Sequence, residues 1–451
     1  MKTLWKILTL ALSFMLLICV TACGRGDGDG DGDGGGQVTL RIESAAPLKY
    51  NYNALLKSEE EGTQIYNQAL FTKQLLQGFK ELYPNIKVNF IEDGWGEALF
   101  QQQQLYVRSY KQGNAMEVDI MIGETYMNYL TKADVFIELD KSKFADVIEG
   151  SYADMMLGDK MYGVPMCTGI LGLQYNTQIL TEVGIPEEEW VPTTWDRLLE
   201  NCKKVSEYAE KNEKVYGGIM LNNVSGMSGA FRAVPFMRQA GGDLVNEEGE
   251  LTLNSAQNKE AFSFLRNLAK YAYQPGLTES TEDTLQYYFI SKGYAAYMIE
   301  GQWSMAGAPD YIKSAALPQK EENSTLNGNI FTGNILFGIT KGSKHKKEAQ
   351  AFLEYLTSEK VQTLFYQLDG RLPVNKKTLS SQEVRTIYPN INSYIDVLVA
   401  GGFKGGLYGF VKNSADIWNR WGTFYKDVLM TDKSIDTLLS DTHDYIKGKM
   451  S

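Results

Sequence analysis

One stretch of sequence, residues 158–199, constrains the fold of this chain more than any other. Its first part, residues 162–175, mixes β-branched, aromatic and glycine residues and carries no charge. A short uncharged run bounded by glycine and proline indicates a fully buried strand or a pair of strands. Pro165 fixes its own φ angle and favours extended geometry in the residues before it. We therefore predict buried strand structure here.

The second part of the stretch predicts a helix. Thr193 follows Pro192, and Asp196 lies three residues after Thr193, as in a capping box at a helix start. We therefore expect Thr193 to begin this helix. The apolar residues that follow recur at helical spacing: Trp195, Leu198, Leu199, Cys202, Val205 and Ala209.

These two parts carry a family resemblance. Residues 158–180 read GDKMYGVPMCTGILGLQYNTQIL, and residues 192–198 read PTTWDRL. Together they resemble a signature of extracellular solute-binding proteins of the maltose-binding type, the capture subunits of ABC importers, mostly for carbohydrates. The resemblance implies that the uncharged strand is the first hinge between two lobes.

Four further segments resemble the same family, in the same order along the chain. They are FKELYPNIKVNFI at residues 79–91, GYAAYMIEGQW at 293–303, FTGNILFGITKGSKHKKEAQAFLEYLTS at 331–358 and GRLP at 370–373. The resemblance implies an α/β, two-lobe periplasmic-binding-protein fold of type II, with the ligand cleft between hinge-linked lobes. We assign residues 37–166 plus 316–370 to lobe 1, and residues 167–315 plus 371–451 to lobe 2.

The start of lobe 1 predicts a strand, a long helix and a second strand. This βαβ order favours a parallel sheet. Alternating apolar residues mark the strands at Val38, Leu40 and Ile42, and again at Ile86, Val88 and Phe90. Apolar residues at helical spacing mark the helix, which we expect Pro84 to stop: Ile65, Ala69, Leu75 or Leu76, Phe79 and Leu82.

The N-terminus has the pattern of a targeting segment. Residues 1–22 carry two lysines and then an apolar run of 14 residues, too short for a comfortable membrane span and typical of a signal peptide. Residues 20–23, VTAC, resemble a bacterial lipoprotein box, which implies that Cys23 receives a diacylglyceryl group. Two acyl chains are what stable membrane attachment requires. The alternative is an ordinary signal peptide with a chance cysteine.

A glycine- and aspartate-rich segment follows the cysteine. Residues 24–36, GRGDGDGDGDGGG, contain no apolar side chain that could offset the entropy of ordering them, so we predict a flexible tether. The aspartates fit the start of a calcium-binding EF-hand loop, but the twelfth position is Leu40, where the loop needs a bidentate glutamate. We therefore expect no metal site here.

Composition excludes several classes of function. The formal net charge is −11 without basic runs, which argues against nucleic-acid binding because that binding depends on phosphate neutralisation. Beyond residue 22 no second hydrophobic run is long enough to span a membrane, so we expect membrane contact through the lipid alone. Cys167 and Cys202 could form one bridge, but two free buried thiols fit the composition better.

The sequence also argues against an enzyme. The two histidines have no partner at metal-ligand spacing, and the chain contains no G-x-S-x-G, H-E-x-x-H or Walker A motif. We therefore expect no catalytic residue, metal or cofactor. A glycosidase with a carboxylate pair stays open as an alternative, because 55 acidic residues leave many pairs possible.

The resemblance implies a set of ligand-binding side chains. Trp303 matches the stacking tryptophan of the GQW segment, with a core residue as the alternative reading. Glu124 and Tyr126 follow the third strand, where the family places a polar ligand contact. Thr168 lies on the hinge strand. The remaining candidates are Arg371 in the GRLP turn, with a structural salt bridge as its alternative, Asn334 after Thr332-Gly333, Ser44 at the end of the first strand, and Trp95.

We therefore expect a monomeric lipoprotein on the outer face of the cytoplasmic membrane of a bacterium. It would capture a sugar or oligosaccharide and deliver it to the transmembrane subunits of an ABC permease. A binding protein that feeds a sensor kinase, the same fold with a non-sugar ligand such as a polyamine, and a surface glycosidase are the alternatives.

Overall fold

The computed structural model describes residues 37–44, 47–94, 97–124, 126–224, 227–246, 250–279, 281–326, 328–403 and 414–450. The predicted signal peptide, Cys23 and the tether lie outside these ranges, as does Trp95.

The strands, in chain order, are β1 Val38–Glu43, β2 Ile86–Ile91, β3 Ile120–Gly123, β4 Met156–Leu157, β5 Lys160–Met161, β6 Val164–Asn176, β7 Gly217–Met220, β8 Ala295–Gly301, β9 Ile312–Ala315 and β10 Phe331–Ile339. The helices of the first half are α1 Tyr52–Ser58, α2 Gln64–Leu82, α3 Glu97–Lys111, α4 Met127–Lys132, α5 Thr177–Val183, α6 Trp195–Lys211, α7 Met227–Ala230 and α8 Val234–Gln239. Those of the second half are α9 Ala256–Ala269, α10 Glu282–Ile290, α11 Lys346–Leu356, α12 Glu359–Asp369, α13 Lys376–Ser380, α14 Gln382–Ile387, α15 Asn392–Ala400, α16 Ser414–Met430 and α17 Ile435–Met450.

Strand β6 connects two sheets. Its first half, up to Ile170, pairs with β10, and its second half, from Leu171, pairs with β8 and β9. The first sheet has the order β2-β1-β3-β10-β6, and the second continues through β8 to β7. Every residue of β6 is buried apart from Tyr175, which confirms the prediction of buried strand structure in one continuous strand.

Proline inside a central strand requires a local adjustment, because it has no N–H to donate to the ladder. Pro165 lies opposite Leu336, and the register of β10 against β6 shifts next to this pair. A second shift lies between Thr332 and Ile335, where Gly333 adopts a φ of +60°. Such irregularities locally disrupt the ladder and increase the twist of a strand.

The first sheet is mixed. Strands β1, β2 and β3 are parallel, as the βαβ pattern predicts, but β10 runs antiparallel between β3 and β6. The prediction of a parallel sheet is therefore wrong for this part, because β10 returns from the second half of the chain.

Helix α2 ends before Pro84 as predicted, yet Ile65 and Leu82 at its ends are exposed.

Helix α6 begins one residue later than predicted. Thr194 is its N-cap, and the Thr194 side chain accepts a hydrogen bond from the Arg197 N–H. The prediction of Thr193 is wrong: the capping-box spacing to Asp196 favours Thr193, but the residue with the extended backbone of an N-cap is Thr194, which has Arg197 three residues after it. The predicted apolar face is buried except Leu199, which is half-buried.

Each sheet has its own apolar core. Side chains of α2, α11 and α12 pack with β1, β3 and β10 on the first sheet. Side chains of α6, α8, α9, α16 and α17 pack with the second half of β6 and with β8. Trp421 of α16 is fully buried in this second core, against Phe262 and Phe424. Cys167 and Cys202 are buried, free thiols, as predicted.

Candidate ligand-binding site

Trp303 lies where β6 passes from the first sheet to the second. It follows β8 directly, in a short 3-10 turn, and its ring is partly exposed. Three glycines pack against the indole: Gly301 at the end of β8, Gly169 on β6 and Gly333 on β10. A Cβ atom on these residues would lie only 2.0, 2.9 and 3.3 Å, respectively, from an indole carbon. We call this arrangement the glycine slot, and any side chain in it would displace the ring.

A carboxylate fixes the orientation of the indole. The Trp303 Nε1–H donates a hydrogen bond to Oε1 of Glu282, the first residue of α10, at 3.0 Å. The same oxygen accepts from Gln286 Nε2 at 3.1 Å and lies 3.1 Å from Arg232 Nη2. The slot and this carboxylate together hold Trp303 in one position, and the residue stays partly exposed.

Arg232 connects Glu282 to a second carboxylate. Its side chain is only 2% exposed, and its Nη2 also forms an ion pair with the fully buried Glu300 of β8. The Gly301 N–H donates to Glu300 as well, at 2.9 Å. Burial nevertheless raises the pKa of Glu300 to about 7, against the opposing effect of Arg232. This Glu282–Arg232–Glu300 group is therefore a buried charge network behind Trp303.

Glu124 approaches the site from the first sheet. It follows β3 directly and is half-buried, and its carboxylate forms no hydrogen bond or ion pair with any residue that the structure describes. Burial raises the pKa of Glu124 to about 7. The negative charge of Glu282 adds to this rise, and Arg371 opposes it. Glu124, Glu282 and Arg371 are thus close enough to influence one another.

Arg371 is held by the residue two positions before it. Its Nη1 donates to both carboxylate oxygens of Asp369, at 2.8 and 3.0 Å, and Gln68 Nε2 donates to the same carboxylate at 2.8 Å. Burial, and after it the charge of Arg371, lower the pKa of the Lys49 ammonium. The structural salt bridge considered for Arg371 is present, and a ligand contact by the same side chain stays a prediction.

Thr168 and Asn334 form a pair across β6 and β10. The Thr168 hydroxyl donates to Asn334 Oδ1 at 2.5 Å, and Asn334 Nδ2 donates to the Ser151 carbonyl at 3.0 Å. Both side chains are buried, and each is adjacent in sequence to a glycine of the slot. Their principal polar groups are already satisfied by protein, so their predicted ligand contacts remain predictions.

Ser44 and Tyr126 are also buried. The Ser44 hydroxyl donates to Glu92 Oε2 at 3.2 Å at the end of β1. The Tyr126 ring packs on Phe100, with 5.0 Å between ring centroids, and against the backbone of Gly123. Burial, followed by the charge of Glu124, raises the pKa of Tyr126 well above its usual value. Their ligand contacts likewise stay predictions.

Glu282, Arg232 and Glu300 are absent from the site residues predicted from the sequence. One signal was available: Glu300 is the single charge in residues 293–303, and Arg232 is the single charge in the apolar residues 229–237. Charged residues are almost never fully buried unless they are paired, so isolated charges in apolar runs predict a buried pair. Nothing local indicates which pairs form, because Arg232 and Glu300 are 68 residues apart.

Among the residues that the structure describes, no group of three or more His, Cys, Asp or Glu side chains is arranged to hold a metal ion. None of the helices in the described part of the chain is long and apolar enough to cross a membrane.

A family model described as bacterial extracellular solute-binding protein matches residues 74–387. The chain belongs to this family. The resemblance stated from the sequence is thereby confirmed.

Individual curated relatives share less than a third of their aligned residues with this chain. An arabinooligosaccharide-binding protein of Halalkalibacterium halodurans is 29% identical over 207 residues, which cover 43% of each chain. A multiple sugar-binding protein of Streptococcus mutans is 23% identical over 278 residues, covering 57% of this chain and 62% of that protein. The chain thus spans less than two thirds of the length of these first curated relatives.

Solved structures of solute-binding proteins match nearly the whole chain. Maltose-bound MalE3 of T. maritima superposes with a TM-score of 0.70 at 18% identity, over 91% of this chain and 99% of that one. A solute-binding protein of Agrobacterium radiobacter K84 in complex with ribitol gives a TM-score of 0.69 at 16% identity, over 92% and 99%. At such identities the likeness shows the fold, and the predicted two-lobe periplasmic-binding-protein fold is confirmed.

Proposed function

We propose that this solute-binding protein captures a sugar or polyol between its two lobes and delivers it intact to an ABC permease. The observation that carries the proposal is Trp303. Its indole is fixed by the glycine slot and by Glu282 at the junction of the two sheets, with part of the ring left exposed.

The chemistry around Trp303 suits a carbohydrate. A sugar ring has an apolar C–H face, which stacks on an aromatic ring, and a rim of hydroxyls, which need hydrogen-bond partners. Glu282 bonds the indole itself. Glu124 and Arg371 supply a further acceptor and donor, because Glu124 follows Gly123, which pairs with Leu336 on β10, and Arg371 precedes Leu372, which pairs with Thr168 on β6. A site built to hydrogen-bond hydroxyls rejects molecules that lack them, because its own polar groups would then be left unpaired.

The relatives support this ligand class. Those named above are an arabinooligosaccharide-binding and a multiple sugar-binding protein, and a lactose-binding protein of Rhizobium radiobacter is 26% identical over 238 residues. Matching structures hold maltose, ribitol and D-mannitol. Sugars and their reduced polyols are therefore the first ligands to test.

Capture in this proposal is a hinge motion. Lobe 1 comprises residues 37–166 plus 316–370, and lobe 2 comprises residues 167–315 plus 371–451. Because β6 belongs to both sheets, a small change in its backbone angles would rotate one sheet against the other. The closed, loaded form would then dock on the permease, with no chemical change to the ligand.

Attachment to the membrane is the second part of the proposal. Cleavage before Cys23 and diacylation of its thiol would leave the tether of residues 24–36 between lipid and lobes. A Cys23→Ala variant expressed in a bacterial host is then expected in the culture medium or periplasm, and the unmodified chain in the membrane fraction. Equal fractionation of both would refute the anchor.

A thermal-shift screen tests the ligand class. A compound that binds only the folded form raises the melting temperature, by an amount that grows with concentration over Kd. Monosaccharides, oligosaccharides of two to six units and polyols should be screened together with amino acids and short peptides. A stabilising sugar or polyol supports the proposal, and stabilisation by amino acids or peptides alone would overturn it.

A further inference from the structure

The residues around Trp303 contain more negative than positive groups. Two ion-paired groups lie there: Arg232 with Glu282 and Glu300, and Arg371 with Asp369, next to Leu372, which pairs with Thr168 on β6. Together with Glu124 they contain four carboxylates and two cations, an excess of two negative charges when all are ionised.

The cations are already engaged by other carboxylates. Arg232 is shared by Glu282 and Glu300, and Arg371 is bonded to Asp369 through two oxygens. Glu124 is the carboxylate with no hydrogen bond or ion pair to any residue in the described ranges, and it follows Gly123, which pairs with Leu336 on β10, three residues from Gly333 of the glycine slot.

Resting on the proposed function, we propose that the ligand is a carbohydrate with a protonated amine, whose ammonium group binds Glu124 beside the Trp303 indole. A carboxylate enclosed by two closing lobes is costly to desolvate unless a charged or hydrogen-bonding partner accompanies it. An ammonium group supplies three N–H donors and one positive charge. It is also attracted to the face of a tryptophan ring.

Both halves of such a ligand have a partner in the site. A neutral sugar would stack on Trp303 but leave the excess negative charge uncompensated. A linear polyamine would compensate the charge but offers no ring face to the indole. An amino sugar, alone or in an oligomer, uses the aromatic surface and the carboxylate together.

Matched ligands test the inference by calorimetry at pH 7. Each series compares one sugar as its 2-amino, 2-hydroxy and 2-acetamido form: glucosamine, glucose and N-acetylglucosamine, the galactose and mannose counterparts, and β-1,4-linked oligomers of the glucose series. A hydrogen bond to a charged group contributes enough for about tenfold in affinity or more. We therefore expect the amine form to bind at least about tenfold more tightly than both neutral forms in one series.

A Glu124→Gln variant locates the effect. It keeps the shape of the side chain and removes its charge, so the amine form should lose about tenfold in affinity while the neutral forms change by less than about threefold. Glu149→Gln is the matched control, because Glu149 is 80% exposed and pairs with Lys141 on the surface. This control should leave all affinities unchanged. If Glu124→Gln does not fold, the comparison of amine with neutral sugars on the unmodified protein decides by itself.

The outcomes separate this inference from the proposed function. Neutral sugars that bind as tightly as their amine forms, or an amine preference that survives Glu124→Gln, would overturn the inference and leave sugar binding standing. Binding of putrescine or spermidine, with no sugar binding at all, would overturn both.

Discussion

Glu300 and Glu124 lie in two regions of the same site and differ in whether other residues bond to their carboxylates. Burial raises the pKa of each to about 7. Glu300, on β8, is enclosed with Arg232 and the Gly301 N–H, whereas Glu124, after β3, has no such partner in the described part of the chain. A raised pKa therefore does not by itself identify a ligand-binding group. The completeness of the surrounding bonds separates a structural carboxylate from one available to a ligand.

This comparison predicts that groups facing outward affect binding, while groups inside the charge network affect stability. Trp303→Ala should give the largest effect, a loss of affinity of about 100-fold or more for the best ligand, because the whole stacking surface is removed. We expect the melting temperature without ligand to stay within a few degrees. Calorimetry and thermal shift measure the two quantities.

Trp190→Ala is the control for that change. Trp190 is also partly buried and packs on the same core as Trp303, but its Nε1–H donates to the Ile185 carbonyl at 2.9 Å and not to Glu282. This variant should lower stability and leave affinity unchanged. If affinity survives Trp303→Ala, the indole is a core residue and the stacking proposal is wrong.

Paired substitutions of the two glutamates test the comparison directly. Glu300→Gln removes one partner of a buried ion pair and should lower the free energy of unfolding by about 3 kcal/mol. Glu124→Gln removes a carboxylate that has no partner and should change it by less than about 1 kcal/mol, since surface and unpaired positions tolerate substitution. Urea unfolding followed by fluorescence measures both. Equal losses would show that Glu124 is part of the network.

Much of the fold follows from local sequence. The uncharged residues 162–175 predict a buried strand because no side chain in them requires water, and the alternation before and after α2 predicts β1 and β2. The antiparallel strand β10 does not follow from such patterns. It reaches the first sheet from more than 200 residues after β3, and pairing over that distance leaves no local periodicity.

The residues of the site also differ in whether the sequence predicts them. Trp303 is predicted from its resemblance to a family motif, and the structure places it at the junction of the sheets. Glu282 is on α10 and Arg232 is in the 3-10 turn between α7 and α8, so they contact Trp303 or Glu300 only in the folded chain. Their pairing is set by tertiary packing, so a single sequence can indicate isolated charges but not their partners.

Thr168→Val tests whether the hydrogen-bonded pair of Thr168 and Asn334 is structural. Valine keeps the volume but removes the donor to Asn334 Oδ1, which leaves a buried acceptor unsatisfied and should lower the free energy of unfolding by about 1 to 2 kcal/mol. We expect affinity to change by less than about threefold. Thr386→Val is the control, because the Thr386 hydroxyl bonds only to the exposed turn at Glu383. A large loss of affinity with normal stability would instead make Thr168 a ligand contact.

The smallest expected effect is a dependence of stability on pH without ligand. Glu124 titrates near pH 7 in the folded state and near 4.5 when unfolded, so between these values the folded chain binds more protons. Stability is therefore highest below pH 4.5 as far as this group is concerned, and it falls as pH rises to 7. After allowance for partial exposure, we expect about 1 kcal/mol from Glu124.

Glu300 shifts in the same direction, so the unmodified protein and both glutamine variants should be compared from pH 5 to pH 7.5. The slope of unfolding free energy against pH should become less negative in each variant. A bound ammonium would favour the ionised form of Glu124, so the amine ligand should cancel the Glu124 part of the slope and leave the Glu300 part intact. If the ligand removes neither part, the two carboxylates do not differ in their access to the ligand, and the distinction between network and binding group fails.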